Sequence, residues 1–102
     1  MKPLFAVIRS RGAAWNDALS LDQQMDWRPH ADFMNALHDN GFVAIGGPLE
    51  GTGDVLLIVR AKDAAEIASR FENDPWSRMD LLRITRIAPW TLRLGSLEPN
   101  VR

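Results

Sequence analysis

Apolar residues are distributed along this chain in two rhythms. Short apolar runs occur in "PLFAVI" (3–8), "FVAIGGPL" (42–49) and "DVLLIVRA" (54–61), and a longer segment of mixed apolar and polar residues in "LLRITRIAPWTLRL" (81–94). Runs of this length, bounded by turn residues, predict strands. "EGTG" (50–53) between the second and third predicts a hairpin, and Pro89 predicts an edge or a bulge in the last. Elsewhere the spacing is helical. "WRPHADFMNALHDNG" (27–41) predicts a helix that opens near Pro29, a good first position, and closes at Gly41. In "KDAAEIASRFEND" (62–74), Asp63 is a good N-cap, and Ala64, Ile67, Ala68 and Phe71 share one helical face. "RGAAWNDALS" (11–20) reads as a loop, Ser20 with Gln23 as a capping box, and "DPWSRMD" (74–80) as a short turn or helix start.

The order is β-α-β-β-α-β. It predicts an α+β, ferredoxin-like fold, an antiparallel sheet with both helices on one face. Residues 1–95 form the domain and 96–102 a polar tail. The strands add a second expectation. "LFAVI", "FVAI" and "VLLIV" do not alternate apolar with polar, as a sheet with one solvated face should. Two helices cover one face only. Each buried Val, Leu or Ile contributes roughly 1.5–3 kcal/mol, so a second copy packed sheet to sheet is expected, a homodimer.

Composition narrows the partners. The 102 residues are 46% apolar and 25% charged with net charge −1, which suits one soluble globular domain. No basic stripe interleaved with aromatics exists, so nucleic acid is not an expected partner. The absence of cysteine rules out disulfides, thiolate nucleophiles and zinc sites built on sulfur. The apolar run Leu4–Ile8 is too short for a signal segment or a membrane span, so a cytoplasmic protein without membrane association is expected.

Candidate chemistry centres on the histidines. On a wheel of about 100° per residue, His30 extends the stripe of Phe33, Met34 and Leu37. His38 lies roughly 80° away and two turns on, so the two cannot share one metal ion. His38 suits the helix C-terminus, where positive charge is favoured. His30 points inward, either as a satisfied core imidazole or as an acid–base group. Catalysis would need a partner for one ring nitrogen, and Asp74 in "NDPW" is the candidate. Asp before Pro is also an ordinary N-cap pair. One carboxylate oxygen can cap while the other accepts a histidine N–H. Trp76 and Trp90 suit the wall of an apolar pocket for a small, cyclic molecule, and suit core anchors equally. Ser77 and Thr52 read as turn residues. "GGPLEGTGD" lacks the Lys-Ser/Thr of a phosphate loop. No metal site or cofactor is expected.

"RPHADFMNALHDNG", "GGPL" and "NDPW", in that order, resemble the YCII-related (YciI-like) family over most of the chain. The resemblance implies a ferredoxin-like domain paired into a dimeric α+β barrel. It implies a histidine–aspartate pair at the active site, matching His30 and Asp74, and a glycine–proline matching Gly47 and Pro48. Family members often carry two residues between an arginine and the histidine. Here Pro29 alone separates Arg28 from His30, and Arg28 stands as a candidate for a substrate anion. Three functions fit. The first is an acid–base enzyme, of lyase, hydrolase or isomerase type, acting on a small organic molecule. The second is a non-catalytic dimer binding a small ligand or a protein. The third is a cofactor-free monooxygenase, which would need an activated aromatic substrate.

Overall fold

A computed structural model describes residues 2–97. Strand β1 (Leu4–Arg11) leads through a loop and a 3-10 turn (Leu21–Gln23) to helix α1 (Trp27–Asp39). Strands β2 (Val43–Pro48) and β3 (Asp54–Arg60) follow, then helices α2 (Ala64–Phe71) and α3 (Pro75–Arg78) and strand β4 (Leu82–Trp90). The sheet order is β2-β3-β1-β4, with every neighbouring pair antiparallel. This is the split βαβ, ferredoxin-like α+β arrangement. No helix among the described residues is long and apolar enough to cross a membrane.

The helices form where local chemistry supports them. In α2 the Asp63 carboxylate accepts the Glu66 N–H at 2.8 Å, and Glu66 in turn accepts the Lys62 N–H at 2.8 Å. Ile67 and Phe71, one turn apart, carry the buried face. Ala64 and Ala68, expected beside them, are exposed, because a helix of two turns needs only one such pair to reach the sheet. Helix α1 begins two residues before the expected Pro29. Its first turn needs no N–H from residue 29, since that donor has no intrahelical partner. The residue before it, Asp26, takes φ 57° to turn the chain into the helix. At the other end Gly41 adopts φ 86°, the left-handed conformation that stops the helix. Ser20 and Gln23 make the expected capping box at the 3-10 turn, in which the Gln23 side chain accepts the Ser20 N–H at 3.0 Å.

Both helices pack on one sheet face. Phe5 and Val7 of β1, Leu57 and Val59 of β3, Leu37 of α1, and Ile67 and Phe71 of α2 form one core. Trp76, Leu81 and Leu82 form a second, with Trp15 and Trp27 against it. The other face carries Leu4, Ala6, Ile8, Leu56 and Ile58, with no helix over it among the described residues, and Ile45 there is half exposed. Strand β4 is an edge, as Pro89 suggested, but its irregularity lies elsewhere: pairing with β1 slips between Ile8 and Arg9, leaving Thr85 without a partner in the register. The last strand ends at Trp90 rather than continuing to residue 94. Of the polar tail, residues 98–102 lie outside the described residues.

The loop after β1 carries Trp15 and is tied to the turn before β4. Gly12 donates its N–H to Leu81 O at 2.9 Å, and Ala14 donates to Asp80 O at 3.1 Å. A Cβ on Gly12 would run into the Asp80 backbone, so only glycine permits this approach. Asp80 itself accepts Ala13 N–H and a two-pronged bond from Arg83. Those bonds bring its pKa down from 3.8 to about 2.

Candidate active site

Helix α2 ends at Phe71, and the chain turns at once into α3. Asp74 sits at this junction. It caps α3 by accepting the Trp76 N–H at 3.0 Å, with Pro75 in the first helical position. The geometry therefore fixes the carboxylate against the sheet, where it is wholly buried. A buried carboxylate needs partners, and three elements supply them. From α1, His30 Nδ1 lies 2.9 and 3.0 Å from the two carboxylate oxygens. From β1, Arg9 Nη1 donates to Asp74 Oδ2 at 2.8 Å. The same guanidinium donates through Nη2 to Ser77 Oγ at 2.8 Å and lies over the Phe71 ring.

Burial alone would raise the Asp74 pKa. The bond from His30, the Arg9 charge and the Trp76 N–H outweigh it and hold the carboxyl below its usual range. Burial pulls Arg9 down and Asp74 opposes that, but an arginine stays a cation at physiological pH. Asp74 is thus an anion that can only accept. In neutral His30 the proton must then sit on Nδ1, which leaves Nε2 with its lone pair.

The ring is held in plane as well as in tautomer. His30 stacks on the Trp76 indole with centroids 3.9 Å apart and 4° between planes. Trp76 is itself anchored, since its Nε1 donates to Met25 O at 2.7 Å. Trp15 and Trp27 meet the same indole at 5.7 and 5.8 Å. Nε2 makes no hydrogen bond among the described residues, yet Arg9 Nε is the one buried side-chain polar atom there without a partner. Nε2 is therefore open to the cavity that His30 lines, a space of about 190 Å³ walled by Trp15, Trp27, Trp76, Met34 and Leu57, with Arg11 among its polar residues.

The structure brings together His30, Asp74 and Trp76, and sets Pro48 in the cavity wall. It does not bring the other candidates there. Arg28 is exposed on the outer side of α1, 3.9 Å from the Asp32 carboxylate. Gly47 lies by Ile45 and Leu56 on the uncovered sheet face. Trp90, also on that face opposite Leu4, is 37% exposed and lines no part of the cavity. His38 is exposed beside Asp39. Arg9 was not singled out from the sequence, although a period of two carries Phe5 and Val7 on to it. Among the described residues no three His, Asp or Glu side chains converge as a metal would require. Compared with known proteins, the chain matches no family model, no curated protein and no solved structure.

Proposed function

We propose that this chain is a small acid–base enzyme of the YCII-related type, acting in the cytoplasm on a small organic molecule. His30 Nε2 takes a proton from the substrate and returns one to it, as isomerisation, elimination or hydrolysis requires. The observation that carries this reading is the Nδ1–carboxylate contact of 2.9 Å on one side of the imidazole and a cavity on the other. As Nε2 takes the proton, the ring becomes a cation, and Asp74 stabilises it without taking the proton itself. Arg9 favours that outcome because it keeps Asp74 ionised. The indole beneath the ring fixes the direction of the lone pair. A general base so placed contributes typically 10²–10⁴-fold.

The proposal includes a homodimer built sheet to sheet. Its support is the apolar face of Leu4, Ala6, Ile8, Leu56 and Ile58, with Ile45 51% exposed among them. The alternative is a non-catalytic ligand-binding dimer. It draws on the same contacts, since a satisfied Asp74 is also a satisfied structural node. Proton exchange separates the two. Carbon acids of the size of the cavity are incubated with the protein in D2O, and deuterium incorporation is followed by NMR. Incorporation that falls at least about 100-fold in a folded His30→Gln protein supports the enzyme. Equal incorporation in both proteins leaves the binding dimer.

A further inference from the structure

The chemistry of the cavity walls constrains the ligand. They are almost entirely apolar, three of them indoles. Of the charged groups around the cavity, Arg9 is neutralised by Asp74. Asp54 turns its carboxylate to the other sheet face, where it accepts a bond from Ser10 Oγ at 2.7 Å. Arg11 remains. It follows Arg9 by two residues on the same face of β1, about 7 Å farther along. Its guanidinium carbon sits over the Trp15 ring, 4.5 Å from the centroid. Among the described residues it makes no ion pair and no side-chain hydrogen bond. A cation–π contact with an indole favours this position of the guanidinium and leaves its N–H groups available to an anion.

The site therefore presents one uncompensated positive charge at one point, a basic nitrogen at another, and hydrocarbon between. A cavity of roughly 150 Å³ holds a benzene molecule. The space here, about 190 Å³, fits one six-membered ring with one small substituent. We propose that the ligand is a flat, apolar monocarboxylate of about this size, with its carboxylate on Arg11 and its ring among the tryptophans. The end remote from the carboxylate then lies toward His30. The ligand class follows from the walls and Arg11, and only the placing of a reacting carbon at His30 rests on the proposed function.

Binding of three probes by calorimetry at low ionic strength tests this: benzoate, its neutral isostere benzamide and its cationic isostere benzamidine. Benzoate should bind about tenfold or more tighter than benzamide, the margin of a charge-assisted bond, and benzamidine more weakly than either. Arg11→Gln, at an exposed position, should keep the fold by circular dichroism and bring benzoate down to the benzamide level while leaving benzamide unchanged. Equal binding of benzoate and benzamide, an unaltered preference in Arg11→Gln, or no benzoate binding at millimolar concentration would overturn the proposal. The two readings fail separately. His30-dependent deuterium exchange on a neutral carbon acid, without benzoate preference, leaves the base and removes the anion site. Arg11-dependent benzoate binding without such exchange does the reverse.

Discussion

Replacing Asp74 by asparagine should be far more damaging than its place in a short turn implies. Asparagine caps a helix as well as aspartate does, so the bond to the Trp76 N–H is retained. What is lost is the charge. Arg9 is 1% exposed, and Asp74 is its ion-pair partner at 2.8 Å. Breaking a buried pair from one side costs about 3–5 kcal/mol, because a cation is left in a dry site. Against a total stability of roughly 5–15 kcal/mol for a domain of this size, that is a large share. In urea, with a slope near 2 kcal/mol/M, the midpoint should fall by roughly 2 M. Tryptophan fluorescence at fixed protein concentration reads it. The companion variant Arg9→Met with Asp74→Asn removes the stranded cation. It should recover about 2 kcal/mol or more relative to Asp74→Asn alone. A loss below about 1 kcal/mol in the single variant, or no recovery in the double, would refute the assignment of Arg9 and Asp74 as a buried pair.

Other consequences are equally direct. Asp74 and Asp80 both have folded-state pKa values below the ordinary 3.8, Asp80 at about 2. The unfolded chain therefore binds more protons between pH 4 and 2, and stability should be full above that window and fall as pH drops through it. Melting temperatures flat from pH 5 to 2 would contradict this. Trp76→Phe removes the Nε1 bond to Met25 O and should cost about 1–3 kcal/mol in urea unfolding, whereas an unchanged midpoint would show that the bond carries nothing. Gly12→Ala forces the loop off the Asp80 backbone and should cost about 1–3 kcal/mol; stability equal to the parent protein would speak against that close approach. Leu56→Glu on the uncovered sheet face should give a monomer in sedimentation, and a parent protein already monomeric at micromolar concentration would remove the dimer.

The range of the forces involved decides which features were legible in the sequence. Element order was, because periodicity and turn residues act locally: Asp63 and Gly41 mark helix ends by their own backbone chemistry. The inward stripe of α1 was also readable, and with it the direction of His30. The second apolar sheet face was visible as the lack of alternation in β1 and β3. The site was half visible. His30 and Asp74, 44 residues apart, meet only because α1 and the junction before α3 lie on one sheet face. Spacing alone carries no trace of that. Arg9 was hidden because it ends a hydrophobic run and so looks like the start of a loop, while its strand position turns it inward. Arg28 came forward as an anion candidate only through the likeness to the family's arginine, and the fold leaves it exposed beside Asp32 while Arg11, beside Trp15, lines the cavity. Trp15 and Trp27 likewise reach Trp76 only through tertiary packing.

The acid–base role is tested most directly by the tautomer of His30, read from ring ¹⁵N chemical shifts and long-range couplings in labelled protein at neutral pH. Nδ1 should be protonated and bonded to Asp74, and Nε2 should be of the pyridine type. A proton found on Nε2 with Nδ1 bare would mean that Asp74 does not orient the ring, and the acid–base role would go with it.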